Sequence, residues 1–254
     1  MKGLLSAAYS AAVYLFFFAT FLYLIGFVEG LIVPKTIDSG QVGPLGLSLL
    51  IDLSLVALFG LQHSVMARPS FKRAWTRLVP EDAERSTFVL IASLAVILLC
   101  WQWRPLPQLV WSIGDPLAAA AVRAVSWGGW GLVLLSTFLI SHFHLFGLSQ
   151  GFARLLGRPV PDGQFTTPLF YRWIRHPLYS GFVLAFWAAP QMSLGRLIFT
   201  LAMTGYILVG IVLEERDLVA QFGTRYVQYR ERAGMLFPRL WPRSRKASGG
   251  TALP

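Results

Sequence analysis

The chain has a single cysteine, Cys100, in 254 residues. One thiol cannot form an intrachain disulfide or a thiolate metal cluster, so neither device holds this fold together. Lying in an apolar run, Cys100 reads as a small buried side chain. Charge is also scarce. Asp, Glu, Lys and Arg make up 13% of the residues, against roughly 25% in soluble domains. Acids are scarcer than bases, 12 against 22, for a net charge of +10. With 55% hydrophobic residues, such a chain does not fit a water-soluble fold, and its length suits one membrane domain. The positive charge stands between apolar runs, which points to membrane topology and anionic lipid and away from nucleic acid.

What the chain does have is six apolar segments, at about 4–28, 45–66, 88–103, 122–146, 178–189 and 197–213. The first four approach the roughly 20 residues that cross a bilayer. The last two are short, are joined by residues 190–195, and predict a tilted or re-entrant hairpin. The run from Leu4 to Val28 is too long for a signal peptide and no small-residue cleavage site follows it, so it reads as the first span. With the N-terminus inside, 18 of the 22 Lys and Arg fall on cytoplasmic pieces, and Lys35, Arg104, Arg123 and Arg196 are the exceptions. The expectation is an all-α polytopic integral membrane bundle of five to six transmembrane helices, with both termini cytoplasmic. Residues 1–238 read as one domain, divided into a four-helix part (1–146) and a C-terminal part (147–238). Residues 239–254 read as a basic, disordered tail. A cytoplasmic helical cover is expected after the last span, with a helix over 214–222, Gly223 as its C-cap and Thr224 as the N-cap of the next helix.

Ionisable residues inside spans are costly and mark candidate sites. Asp52 lies two turns into the second span. His63, flanked by Gln62 and Ser64, follows eleven residues later, on nearly the same helix face and about 16 Å further along the axis. That puts His63 near the cytoplasmic surface. His142 and His144 end the fourth segment about 200° apart on a regular helix, a poor spacing for one metal or a haem. The densest polar cluster is C-terminal. Tyr171 to Gly181 enters the fifth segment, and Glu214-Glu215-Arg216-Asp217 leaves the sixth. A hairpin would set the two side by side. Acids at a helix C-terminus oppose the macrodipole, so Arg172, Arg175, Arg216 or a cationic ligand should offset them.

These residues carry a resemblance. Arg175-His176-Pro177-Leu178-Tyr179-Ser180-Gly181 resembles the RHPxYxG motif of the isoprenylcysteine carboxyl methyltransferase and phospholipid methyltransferase superfamily. Glu214-Glu215, Leu218, Phe222, Gly223, Tyr226 and Tyr229 resemble its EExxLxxxFGxxYxxY signature. Residues 59–69 are similar to the NnrU-like branch, which includes nurim and the methanethiol S-methyltransferases. Pro34–Gly40, Glu84–Thr87, Trp101–Pro105 and His142–Leu148 resemble the methanethiol enzymes more narrowly. The pattern departs at His144, where an acid is usual, and at Glu29.

The resemblance implies transfer of a methyl group from S-adenosylmethionine to methanethiol at a bacterial-type inner membrane. It also implies that the two C-terminal motifs enclose the cofactor. Arg85 or Arg175 would suit the cofactor's carboxylate. Glu214 and Glu215 would suit its ribose hydroxyls and amino group. Tyr179, Tyr226 and Tyr229 would face its sulfonium, with His176 and Gly181 beside the adenosyl group. His63 is the expected base for the thiol, with Asp52 as runner-up or helper. Gln62, His144, Trp101 and Trp187 would line a small dry substrate pocket, in which Trp103 is a further aromatic. No metal and no obligatory protein partner are expected beyond the bilayer itself. Two alternatives stay open. One is a prenyl-cysteine carboxylate or phospholipid amine as acceptor, and the other is a non-catalytic nurim-like membrane protein.

Overall fold

The computed structural model of the chain describes residues 1–159 and 166–239. Helix α1 (Lys2–Glu29) is followed by α2 (Leu45–Met66), the short α3 (Pro69–Trp75) and α4 (Glu81–Gln102). Strand β1 (Leu109–Ser112) leads into α5 (Pro116–Ile140), then the short α6 (His142–Leu145) and α7 (Leu148–Leu156). After a tight turn of 3-10 helix at Leu169–Arg172 come α8 (Pro177–Trp187), β2 (Gln191–Ser193), α9 (Leu194–Phe222) and α10 (Thr224–Arg232).

Among the described residues, α1, α2, α4, α5 and α9 are long and apolar enough to cross a bilayer. Only 22–33% of the most apolar stretch of each is buried within the protein, so most of each stretch keeps apolar surface at least partly exposed, as contact with lipid requires. This is a polytopic all-α membrane bundle.

Local chemistry sets the ends. Asp115 caps α5 by accepting from the Ala118 N–H at 2.7 Å, with Pro116 at the first helical position. Ser193 caps α9 through the Arg196 N–H at 3.0 Å. Helix α4 starts at Glu81, earlier than its apolar run, because Glu81, Asp82 and Glu84 in its first turn complement the helix dipole.

Three expectations change. The fourth apolar segment is not one helix: α5 stops at Ile140, where Ser141 takes φ 143°, and His142 and His144 fall in the separate turn α6. The sixth segment and the expected soluble helix over 214–222 are one unbroken helix, α9, of 29 residues. Helix α10 is capped by Gly223 rather than Thr224.

The fifth segment forms only 11 residues of helix, α8, with about 16 Å of rise. Pro190, which cannot continue a helix, is followed by extended chain. There β2 pairs antiparallel with β1, Ser193 opposite Leu109 and Gln191 opposite Ser112. This ribbon ties the segment to the level where α4 ends and α5 begins. Helix α8 and residues 188–193 together therefore make a sixth traverse of the bundle, and α9 returns.

Helices α5 and α8 meet at two glycines. A Cβ on Gly129 would lie 2.6 Å from the Gly181 carbonyl, and one on Gly181 would lie 2.6 Å from the Gly129 carbonyl. Small residues here let the backbones touch. Around this contact Trp130, Phe186, Phe199, Trp103 and Phe27 interlock edge to face, with Trp103 and Phe199 centroids 5.6 Å apart at 83°. This core occupies the half of the bundle near β1. At the opposite end Gly3 lies against Arg154 and Leu155 of α7, so the chain start, α3, α7 and α10 share one face, called here the basic face. The basic tail expected over 239–254 lies outside the described residues beyond Arg239.

Candidate functional site

The segment entering α8 and the segment after α9 are stitched together by backbone. The Arg175 N–H donates to the Gly234 carbonyl at 2.8 Å, the His176 N–H to Met235 at 3.2 Å, and the Gly234 N–H to Trp173 at 2.8 Å. Side chains reinforce this seam. Arg175 Nη1 donates to the Ala233 carbonyl at 2.7 Å, and Ser180 Oγ to the Leu236 carbonyl at 2.6 Å. The Tyr229 hydroxyl donates to the carbonyls of Tyr171 and Ile174. Burial is the main reason its phenol is pushed up to about 12. Tyr226 is fully buried beside it, the ring centroids 5.8 Å apart.

The two acids close the cluster from α9. Glu215 Oε1 lies 2.6 Å from Arg175 Nε and 3.1 Å from His176 Nε2, and Glu215 Oε2 lies 3.6 Å from Arg230 Nε. Glu214 Oε2 accepts from the Tyr179 hydroxyl at 3.0 Å and lies 3.8 Å from His176 Nδ1. The acids stand two turns before the end of α9, beyond the reach of its macrodipole. Desolvation, not the dipole, is what their cations offset. Arg172 and Arg216 remain exposed.

The motif residues thus converge, but with unequal freedom. Arg175 and Glu215 satisfy each other, their side chains 9% and 12% exposed. Glu214 keeps 44% of its side chain exposed. Tyr226 and Tyr229 hold the turn rather than present open faces. Gly181 does not face this cluster at all: it is the α5 contact described above.

His63 lies one level deeper. Arg68, just past α2, donates to Asp217 at 2.9 Å and to the Leu213 carbonyl at 3.3 Å. That pins the end of α2 level with Glu214 and Glu215. Five residues earlier, His63 is about 7 Å further into the bundle. Its ring sits among Phe88 (4.8 Å), Phe59 (5.5 Å) and Tyr206 (6.3 Å), and Nδ1 is buried without a hydrogen-bond partner among the described residues. Gln62 Nε2 is turned to Met66 Sδ at 3.1 Å.

Beyond Phe88 a polar cavity of about 350 Å³ opens, lined by Lys72, Glu81, Glu84, Arg85, His144 and Gln150. Arg85 donates from Nε to the Leu145 carbonyl at 2.6 Å and its guanidinium lies 4.8 Å over the Phe88 ring. The remaining guanidinium faces the cavity. Gln150 Nε2 holds the His144 carbonyl at 3.1 Å. Burial first, then the neighbouring cations Arg85 and Lys72, keeps the His144 imidazole below its usual range and therefore neutral at pH 7. Burial likewise lowers Lys72, ahead of the effect of Arg85.

Three predicted site residues lie elsewhere. Asp52 is fully buried eleven residues below His63, accepting from the Arg104 N–H at 2.8 Å, too far along the helix to assist that imidazole directly. Trp101 is 67% exposed at the far end of α4, and Trp187 is exposed with Nε1 on Thr204 Oγ1 at 3.0 Å. The Trp101 ring suits a membrane interface better than a pocket, Trp187 lies on the outer surface at the middle of α9, and Trp103 belongs to the core. Residues given no role from sequence join instead: Tyr206, Lys72, Gln150 and the Arg68–Asp217 pair. Helical spacing carried a signal only for Asp217, three residues after Glu214.

No family model and no solved structure matches the chain. Several proteins are similar to it along most of its length. Methanethiol S-methyltransferase 1 of Bradyrhizobium diazoefficiens is 53% identical over 93% of this chain and 82% of that protein. Methanethiol S-methyltransferase of Mycobacterium tuberculosis is 49% identical over 95% of this chain and 98% of that protein. Nurim of Xenopus laevis is 30% identical over 66% of this chain and 61% of that protein. With about half of its residues shared over nearly its whole length, the chain belongs to the methanethiol S-methyltransferase family.

Proposed function

We propose that this protein is a membrane-embedded methyltransferase that moves the methyl group of S-adenosylmethionine to methanethiol, giving dimethyl sulfide. The observation that carries the reading is the interlock of Arg175, His176 and Tyr179 with Glu214 and Glu215, one level above the half-buried His63 imidazole. The residues present fit the donor. Glu214, held by Tyr179 but half open, suits a ribose hydroxyl or the amino group. Arg85 and Lys72, aimed into the polar cavity, suit the carboxylate. Arg175 and Glu215 brace the wall rather than bind. When bound, the donor supplies an electrophilic methyl on a sulfonium.

The protein's own residues then do two things. His63, in an aromatic setting and with Nδ1 unengaged, accepts the proton of the thiol, because the thiolate is the reactive form. Phe59, Phe88 and Tyr206 exclude water from the sulfur and hold it in line, where positioning supplies much of the acceleration. Sidedness follows the charge: the basic face, which holds the chain start, α3, α7 and α10, is cytoplasmic, in a cell membrane of bacterial type.

A long-chain lipid acceptor is the second reading. The observation in its favour is an apolar groove of about 580 Å³ between α2 and α9. Against it, His63 is not part of the groove's lining, whereas Tyr206, which meets the His63 ring, is. The direct test incubates the purified protein in detergent with S-adenosylmethionine and methanethiol, and measures dimethyl sulfide in the headspace. Formation above a protein-free control is expected. No product from any thiol, with the protein folded, would refute the reading.

A further inference from the structure

Helices α2 and α9 leave a seam that faces lipid. Its groove is lined by Leu53, Val56, Gly60, Ser64, Tyr206 and Leu213 among others, and Arg68 closes its basic end. The rim is lipid-facing, with Leu61 67% and Val209 58% exposed. A small apolar thiol partitions into hydrocarbon and can enter here without crossing the charged face.

The inner wall is one side chain. The Tyr206 ring packs against Gly60, so closely that a Cβ on Gly60 would come within 2.9 Å of Tyr206 Cδ2. The ring also meets Phe59, centroids 5.5 Å apart at 66°, and His63 at 6.3 Å and 84°. Tyr206 shares an apolar cluster with Tyr179, whose hydroxyl holds Glu214. His63 does not line the groove, and Tyr206 does. One ring therefore stands between the lipid-facing entrance, the imidazole and the half-open acid.

We infer that Tyr206 is the gate and size filter for the acceptor, admitting a one-carbon thiol from the bilayer and excluding longer ones. This rests on the methyl-transfer reading above. A rigid ring in a tight apolar passage discriminates by volume, and a single methylene in such a pocket shifts the rate by about tenfold or more. Gly60 is the complementary half of the device, since only the absence of a side chain lets the ring sit back against α2.

The test compares methanethiol, ethanethiol and 1-propanethiol as acceptors for the full-length protein in detergent, with S-adenosylmethionine as donor and each methyl sulfide measured in the headspace. The quantity read is the kcat/KM ratio of propanethiol to methanethiol. Tyr206→Ala is expected to raise it about tenfold. Tyr206→Phe is expected to keep the wild-type ratio, because the ring and not the hydroxyl does the filtering. Gly60→Ala, which pushes the ring toward His63, is expected to lower it. Where Tyr206→Ala fails to fold, Tyr206→Leu keeps the helix packing and a smaller rise is expected. An unchanged ratio in the folded, active Ala or Leu variant overturns the gate while leaving methyl transfer intact. A wild-type protein that methylates no thiol overturns the functional reading and this inference with it.

Discussion

Helix α9 carries an ionic cluster near each end, and the two differ in what they leave open. At its start Arg196 donates from Nη1 to the Val28 carbonyl at 2.8 Å and lies 3.6 Å from Glu29 Oε1. Glu29 Oε1 also accepts from Ser126 Oγ at 2.8 Å and Trp130 Nε1 at 3.0 Å. Both side chains are nearly sealed, 8% and 7% exposed. Toward its other end Glu215 and Arg175 are almost as buried, yet Glu214 and Arg230 are 44% and 48% exposed. Each cluster ties α9 to distant chain. On the basic face the acid left half open is Glu214, a member of the ionic cluster itself, whereas at the other end the exposed acid is Asp38, which accepts from the Ser193 hydroxyl. The comparison teaches that a buried ion pair by itself says nothing about function. The unspent acceptor next to it does.

Five substitutions would sharpen or break that contrast. The largest effect is expected from Arg175→Ala. It leaves Glu215 buried with weaker compensation and cuts two bonds to the 230–233 backbone, a loss of about 3–5 kcal/mol. A thermal unfolding scan in detergent checks it, and a melting temperature within a degree or two of wild type would contradict the bracing role. His63→Ala comes next, with kcat for thiol methylation lower by about 10²–10⁴-fold and the melting temperature little changed. Full turnover across pH in that variant would remove His63 as the base.

Glu214→Gln should act on the donor alone. We expect the KM for S-adenosylmethionine to rise about tenfold, in keeping with one lost charge-assisted hydrogen bond, with stability near wild type. The opposite cluster should give the converse. Glu29→Gln is expected to destabilise the fold by about 1–3 kcal/mol, with kcat/KM per folded molecule unchanged. If Glu29→Gln altered the KM for the donor, the division between a sealed and an open cluster would fail. The smallest effect belongs to Trp101→Ala. Its exposed ring predicts a change within about 0.5 kcal/mol and no shift in acceptor kinetics, measured in the same two assays.

Composition and the spacing of apolar runs were enough to specify a membrane bundle with its basic loops on one side, because lipid demands long apolar helices and segregated charge. The chain order of Arg175-His176-Pro177 and Glu214-Glu215 likewise marked a candidate site, since polar groups bordering spans are costly. What tertiary structure alone decided is which of these groups is free. Arg175 and Glu215 look like ligand partners in the sequence, but folding spends them on each other and on the backbone of residues 230–235. Gly181 looks like part of a binding motif and turns out to be where α8 touches α5. Asp52 and His63 share a helix face, yet their depth separates them. Tyr206 carries no sequence signal, since a tyrosine in an apolar helix gains its position only when α2 packs against α9 at Gly60. Local pattern determines what a segment can be. Which side chain meets which depends on contacts between residues far apart in the chain, and those exist only once the helices have packed.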